Sequence, residues 1–288
     1  MNFFVIIPDS TCDLSQEFLT ENKIEVMQLS FLLDNTLYDQ IDTVIDLHTF
    51  YTKMRSGSTP VTQQVNPENA FTCFEKYAKQ GIDILCINLS SKLSGTYHST
   101  CMAKQDIMEQ YPDIKVHVVD TLSASMGEGI LVHHANQMKK DGKNIEEIAH
   151  WLKQNAPKTC HFITVDDLNH LQRGGRLSKG SAIIGGILGI KPILRIDESG
   201  CVVPLDKVRG RKQSLAYIVD LVKEQAKLKN ICVLAVAHAD SLEDANTLVN
   251  MIKPIVPDAT ILLNFVGPTV GTHVGPGALG VFFVGENR

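Results

Sequence analysis

Ser94, Gly95 and Thr96 combine two hydroxyl groups with a glycine where an apolar run, residues 82–89, is expected to give way to a helix. The first turn of a helix exposes unpaired backbone N–H groups and the positive end of the helix dipole, which together stabilise a carboxylate or a phosphate. The two hydroxyls add further donors. The segment therefore indicates an anion-binding site, although an ordinary serine cap with a glycine for close packing fits the same residues.

Two further loops carry side-chain oxygens in comparable positions. Ser10 follows the first apolar run, and Thr62 lies in a polar loop before a helix that is expected to begin at Pro67. Ligands of open α/β sheets bind beyond the carboxyl ends of the strands. We therefore expect Ser10, Thr62 and Ser94 to approach one another at one edge of a sheet.

Two glycine-rich segments occur in the second half of the chain. Residues 267–280 predict a shaped loop, in which His273 either binds an anionic head group near neutral pH or has a structural role. Residues 180–190 are apolar and include Ile183 and Gly185. Glycine costs a helix about 1 kcal/mol relative to alanine, so this run indicates close backbone approach. Either a wall for a thin aliphatic ligand or tight packing of two domains would use it.

Four arginines are candidates for binding a partner. Arg173 and Arg176 flank paired glycines, and Arg209 and Arg211 lie in a basic run that opens a helix. Positive charge at a helix N-terminus opposes the dipole, which favours a contact with a partner or a phosphate. Solvated arginines on an exposed face are the alternative.

Ser94 and His273 also allow an enzymatic interpretation, in which they belong to a hydrolase or to a phosphotransferase acting on a small anion. The nucleophile motif Gly-x-Ser-x-Gly is absent, because Ser94 stands in Lys92-Leu93-Ser94-Gly95-Thr96. The phosphate-loop and dinucleotide-binding glycine patterns are absent from the sequence as well. A regulatory interaction protein is a third alternative, indicated only by the basic residues.

Composition narrows the function classes. A net charge of −5 and 6% aromatic residues argue against nucleic-acid binding. The seven cysteines are scattered without a Cys-x-x-Cys pair, which is typical of a reduced, cytoplasmic protein and favours neither a metal site nor a disulfide framework. No apolar stretch is long enough for an integral membrane segment. No cofactor is expected.

The order of apolar runs and helical patterns predicts two domains. Residues 1–156 alternate between strands and helices, which is typical of an α/β domain with a parallel sheet. Residues 157–288 contain an apparent hairpin around residues 197–200, which predicts an α+β domain. The strands predicted in the first domain are Phe3–Ile7, Val26–Leu33, Ile82–Leu89 and Val116–Val119.

Five motifs in this order resemble the DegV family over nearly the whole chain. They are Pro8-Asp9-Ser10-Thr11-Cys12-Asp13-Leu14, Ser90-Ser91-Lys92-Leu93-Ser94-Gly95-Thr96-Tyr97, Val119-Asp120-Thr121, Leu171-Gln172-Arg173-Gly174-Gly175-Arg176-Leu177-Ser178 and Gly271-Thr272-His273-Val274-Gly275-Pro276-Gly277-Ala278-Leu279-Gly280. The resemblance implies a long-chain fatty acid in a tunnel between the two domains. It also implies a non-enzymatic, lipid-binding carrier, which presents the acid to a separate ATP-dependent fatty-acid kinase subunit for phospholipid synthesis.

The resemblance also implies roles for individual residues. Ser94 matches the serine that binds the carboxylate, Thr62 its hydroxyl partner, and His273 the histidine near the head group. The arginines named above match positions on a rim that faces the kinase. The chain departs from the family loop Thr-Ser-Gln-Pro-Ser at Gln63 and Val65, which puts the shape of that loop in question. His98 stands where the family often has an amide.

Overall fold

The structure is a computed structural model that describes residues 4–39, 45–177 and 189–288. The strands of the first half are β1 (Phe4–Pro8), β2 (Ser30–Leu33), β3 (Thr36–Tyr38), β4 (Val61–Gln63), β5 (Asp83–Asn88) and β6 (Val116–Asp120). Those of the second half are β7 (Thr159–Thr164), β8 (Ile190–Ile196), β9 (Val202–Arg209), β10 (Val233–His238), β11 (Thr260–Phe265) and β12 (Leu279–Val284). The α-helices are α1 (Gln16–Glu21), α2 (Leu47–Arg55), α3 (Pro67–Ala78), α4 (Thr96–Gln110), α5 (Met126–Lys140), α6 (Ile145–Asn155), α7 (Asn169–Arg173), α8 (Arg211–Leu228), α9 (Leu242–Ile252) and α10 (Pro268–Val274).

A parallel sheet in the order β1-β5-β6 forms the centre of the first half. All five residues of β1 are buried, as are five of the six of β5, because helices cover this sheet and its strands need apolar runs. The predicted start of α3 is confirmed: Pro67 is its first residue, and the Asn66 side chain accepts a hydrogen bond from the Asn69 N–H at 2.8 Å.

The predicted strand Val26–Leu33 is largely wrong. Only Ser30–Leu33 is a strand, and it belongs to a separate antiparallel sheet in the order β3-β2-β4. The hairpin turn at Asp34 and Asn35 has φ angles of 49° and 64°, which suit a tight two-residue turn. Strand β4 lies inside the segment predicted as a polar loop, so Thr62 is positioned by strand pairing rather than by a loop alone.

The second half is built on a six-stranded mixed sheet in the order β11-β10-β12-β7-β8-β9. The predicted hairpin is the pair β8 and β9, and the mixed α/β fold class is confirmed. The loop predicted over residues 267–280 is wrong, because this segment forms α10 and the start of β12. Two of its Pro and Gly residues mark the ends of α10: Pro268 begins the helix, and Gly275 follows it with φ 76°.

Helix α5 packs against strands of both large sheets, including β1, β5, β10 and β12. One hydrophobic cluster accordingly contains buried residues of both halves, for example Ile87 and Phe282. The division predicted at residues 156 and 157 falls in the short 3-10 turn Ala156–Lys158 and stays a prediction. Within the described ranges, no helix is both long and apolar enough to cross a membrane.

Three buried carboxyl groups connect the end of β1 to α5. Asp9 and Glu128 are both 0% exposed, and the Thr11 hydroxyl lies 2.6 Å from Asp9 Oδ1 and 2.9 Å from Glu128 Oε2. One hydroxyl hydrogen cannot serve both carboxylates, so one of the two acids must be protonated. Burial, reinforced by the charge of Asp9, raises the pKa of Glu128 well above its ordinary value. Burial raises the pKa of Asp9 as well, but Asp9 accepts hydrogen bonds from the Thr11 and Leu89 N–H groups, which favour its charged form, so we assign the proton to Glu128.

Asp13 is the third acid of this cluster, and it ties α5 to the second half. Its carboxylate accepts hydrogen bonds from the Ser125 hydroxyl at 2.5 Å and from the Gly267 N–H at 2.9 Å. Burial raises the pKa of Asp13 from 3.8 to about 7, although both hydrogen bonds oppose the shift. The folded state therefore favours neutral Asp13 more than the unfolded chain does.

The contribution of Asp13 to stability is expected to decrease as the pH rises from about 4 through about 7, because its folded pKa exceeds its unfolded pKa. Asp13→Asn keeps an acceptor for Gly267 and remains neutral. The stability advantage of the variant over the wild type should be larger at pH 8 than at pH 5, by at most about 3 kcal/mol. Urea denaturation at both pH values measures the difference. Parallel stability curves for the two proteins would contradict the raised pKa.

Candidate functional site

A cavity of about 830 Å³, including its opening to solvent, lies between the two halves. Apolar side chains from both halves form most of its wall, among them Leu89, Ala124, Ile163, Ile196, Val202 and Phe282. The hydroxyl groups of Thr62 and Ser94, the His273 imidazole and the Arg176 guanidinium also face this cavity.

The start of α4 supplies the first group of donors. The Thr96 N–H donates to Ser94 Oγ at 3.2 Å, and the two hydroxyl oxygens are 3.0 Å apart. The partly buried Ser94 lies one residue before Gly95, which is the N-cap of this 15-residue helix. The anion cradle predicted from Ser94, Gly95 and Thr96 therefore stands at a helix N-terminus on the cavity wall.

The Gln64 side chain packs directly on the backbone of Gly95. A Cβ atom on Gly95 would lie 2.1 Å from Gln64 Oε1. The Gln64 amide donates to Ser99 Oγ at 3.2 Å, which fixes the side chain across the start of α4. The Val65 N–H donates to Thr96 Oγ1 at 3.3 Å, a bond that a proline at this position could not form. Val65, which stands where the family loop has a proline, therefore links the Thr62 segment to α4 through this hydrogen bond.

Thr62 and His273 connect the two halves at the cavity. Thr62 Oγ1 is 2.9 Å from His273 Nε2, and the imidazole packs against Gly174, where a Cβ atom would lie 2.2 Å from Nδ1. Nδ1 is buried without a hydrogen-bond partner among the described residues. An unpaired acceptor is tolerated better than an unpaired N–H, so we assign the ring proton to Nε2, which donates to Thr62. The Thr62 hydroxyl hydrogen is then free for a ligand.

His273 is a neutral hydrogen-bonding group rather than a cation. Burial, together with the positive charges of Arg176 and Arg173, lowers the pKa of His273 to about 4. Arg176 supplies a cation at the cavity, which it lines, and its Nε donates to the Leu93 carbonyl at 3.0 Å. The structure therefore places Arg176 at the cavity wall, whereas the sequence predicts it on a partner-facing rim.

The remaining predicted residues lie in different surroundings. Ser10 does not line this cavity: its hydroxyl accepts the Leu29 N–H at 3.0 Å, and it lines a neighbouring cavity. Arg173 and Arg209 are exposed. Arg211 is engaged within the chain, because its Nε donates to Asp244 at 2.8 Å.

Another predicted position, His98, does not line this cavity. His98 is exposed and contacts the Tyr97 ring. Ile183 and Gly185, predicted for the apolar wall, lie outside the described residues.

Thr11, the neighbour of Ser10 in the predicted loop, lines the cavity, and sequence reasoning missed Ser125 and Phe282, which line it as well. Ser125 has φ 55° and ψ −144°, a strained conformation for a residue with a side chain, held by its bond to Asp13. Alternation along β12 could have identified Phe282, because it shares a strand face with Gly280. No local signal indicates Ser125.

The geometry supports binding more directly than catalysis. Ser94 Oγ pairs with Thr96 and His273 Nε2 pairs with Thr62, so the described contacts do not provide Ser94 with a general base. No three His, Cys, Asp or Glu side chains of the described ranges are grouped as a metal ion would require. Hydroxyl donors, a helix N-terminus and one arginine are suited to holding an anion.

Fold and site together define a two-part α/β protein whose largely apolar cavity is also lined by Ser94, Thr62, His273 and Arg176. The chain belongs to the DegV family, since the model of the family described as "Uncharacterised protein, DegV family" matches residues 4–286. A DegV domain-containing protein of Clostridium perfringens is 43% identical over 289 residues, covering 100% of this chain and 99% of that protein.

Solved structures show the same fold. A fatty-acid-binding DegV family protein from Thermus thermophilus is 26% identical, with a TM-score of 0.89 and coverage of 98% of this chain and 99% of the other. DegV from Bacillus subtilis, described as a fatty-acid-binding protein, is 29% identical, with a TM-score of 0.87 and coverage of 99% and 100%. The predicted family assignment is confirmed.

The low pKa of His273 is directly measurable. Nitrogen-15 NMR of labelled histidines in the ligand-free protein should show His273 neutral from pH 8 to pH 5, with a midpoint of about 4. The proton should reside on Nε2 if this nitrogen donates to Thr62. His273→Gln identifies the resonance by its loss. A midpoint near the ordinary value, about 6.5, would contradict the buried, neutral assignment.

Proposed function

We propose that the protein binds a long-chain fatty acid, with its carboxylate at Ser94 and Thr62 and its acyl chain in the apolar cavity. The observation that carries the proposal is the clustering of Ser94, Thr62, His273 and Arg176 on the wall of one otherwise apolar cavity. Two similar solved structures are described as fatty-acid-binding proteins, which supports the same ligand class here.

Each of these residues has a different role in binding the carboxylate. The Ser94 hydroxyl and the start of α4 offer donors from one side, and the Thr62 hydroxyl offers one from the other. His273 orients Thr62 through the 2.9 Å contact and does not need to be charged. Arg176 supplies a positive charge, which offsets the free-energy cost of burying a carboxylate in an apolar cavity. None of these roles requires bond breaking by the protein.

The acyl chain supplies most of the binding free energy in this proposal. Burial of each methylene contributes about 0.8 kcal/mol, before the cost of immobilising the ligand is subtracted. The described wall includes Leu89, Ile196 and Val202, which are apolar and buried. Tight retention of the acid therefore needs only a few well-placed polar contacts.

We further propose that the protein acts as a carrier, which presents the bound acid to an ATP-dependent fatty-acid kinase subunit. Arg173 and Arg209 support a partner-binding role, because both are exposed. Arg211 is a weaker candidate, since it forms ion pairs with Asp244 and Asp166. Phosphoryl transfer would be catalysed by the partner.

Ser94→Ala and Thr62→Val should each weaken fatty-acid binding by about ten- to a hundredfold, because each removes a hydrogen bond to a charged group worth about 1.5–3 kcal/mol. Calorimetric titration of the delipidated protein with oleate measures the effect. Ser91→Ala, in the same loop but outside the cavity lining, is the matched control. Wild-type affinity in both variants would refute the head-group assignment.

Arg209→Glu should slow acyl-phosphate formation by the kinase subunit of the same organism about tenfold at low salt, while leaving fatty-acid affinity unchanged, because charge reversal acts on association. Lys223→Glu, at an exposed position of α8, is the control for altered net charge. Equal rates for the two variants would contradict a partner-binding role of Arg209.

A further inference from the structure

Strands β12 and β7 together form one wall of the cavity. Gly280 pairs with Ile163, and Phe282 pairs with His161. Residues two apart on a strand point to the same face, so Gly280 and Phe282 share the cavity side of β12. Gly280, Ile163 and Phe282 all line the cavity. His161 is the next position along this wall, and it is 1% exposed.

The Phe282 ring is directed back along the strand toward Gly280. A Cβ atom on Gly280 would lie 2.6 Å from Phe282 Cζ and 2.8 Å from Cε2. The tip of the ring therefore occupies the space that a side chain at position 280 would take. Because both residues line the cavity, the ring over Gly280 fills space at the wall that a smaller side chain at position 282 would leave open.

The region behind the Phe282 ring is closed by tight packing. The His161 imidazole meets the ring edge-to-face, with centroids 5.7 Å apart and planes at 90°. A Cβ atom on Gly127 would lie 2.3 Å from His161 Nε2 and 3.3 Å from Phe282 Cδ1, so α5 approaches both rings closely. The ring cannot move deeper without displacing a helix or a buried imidazole.

We propose that Phe282, placed by Gly280, sets the maximum length of the acyl chain that the cavity accepts. This inference rests on the proposed fatty-acid binding and adds a specificity determinant to it. The ring provides an apolar, rigid stop that suits the terminal methyl group of a straight chain. A chain that extends beyond the stop would need the ring to leave its place over Gly280.

Phe282→Leu shortens the stop and should shift selection toward longer acids. Delipidated full-length protein is incubated with an equimolar mixture of saturated acids from 14 to 22 carbons, chosen to span the long-chain class, and the bound acids are quantified by mass spectrometry. Each methylene newly accommodated should raise relative affinity about fourfold, which corresponds to about 0.8 kcal/mol. The ratio of longer to shorter bound acids should therefore rise at least about fourfold.

Phe283→Leu is the matched control. Phe283 is the next residue of the same strand, is fully buried, and packs in the cluster on the opposite face of the sheet. The Phe283→Leu variant should be less stable than the wild type, but the acyl-chain length that it selects should be unchanged. Phe282→Met, with a thin and flexible side chain, provides a second variant that should shift selection in the same direction.

Three results would overturn the inference. If the wild type selects fatty acids but Phe282→Leu and Phe282→Met keep its profile, the length limit lies elsewhere and fatty-acid binding stands. If Phe283→Leu shifts the profile of bound acids as much as Phe282→Leu does, a general loosening of the packing explains the effect. If the wild type retains no fatty acid, the proposed function itself fails.

A crystal structure of the wild type with its bound acid tests the stop without any variant. The terminal methyl group should lie within about 4.5 Å of the Phe282 ring. A chain end elsewhere in the cavity would refute the role of Phe282.

Discussion

The hydrogen bond between Thr62 and His273 is the contact on which the polar part of the cavity depends. It joins strand β4 of the first half to helix α10 of the second across 211 positions of sequence. Both groups are partly buried, and leaving either one without a hydrogen-bond partner would destabilise the folded protein. Because His273 is neutral and donates from Nε2, the bond satisfies the imidazole and leaves the threonine hydroxyl hydrogen for a ligand. The site therefore exists only when the two halves are packed together.

The groups around the cavity show that the fold stabilises a polar arrangement which is unfavourable in isolation. Asp9 and Glu128 share the Thr11 hydroxyl, so one buried acid must remain protonated. Ser125 is strained and is held by Asp13, whose pKa burial raises to about 7. Such costs are compatible with folding because α5 packs against both large sheets and buries a single hydrophobic cluster between them. The resulting rigidity keeps donors oriented toward the cavity.

Local patterns predicted the elements whose signals lie within a few residues. The cap and proline at the start of α3, the hairpin of β8 and β9, and the helix start at Thr96 follow from turn, cap and periodicity rules. The same rules failed over residues 267–280, because glycine and proline were counted as breakers, although Pro268 begins α10 and Gly271 and Gly280 lie inside α10 and β12. They also failed for β2, whose sheet membership is decided by pairing with a distant strand, β4.

The sequence by itself determined the helix start at Ser94, Gly95 and Thr96, the α/β class and the DegV family, because each rests on local chemistry or on ordered motifs. Only the tertiary structure decided which distant side chains meet. It placed Arg176 on the cavity wall, engaged Arg211 with Asp244, and set the Phe282 ring over Gly280. These outcomes depend on how strands and helices far apart in sequence pack, and no local periodicity encodes the direction in which a side chain then points.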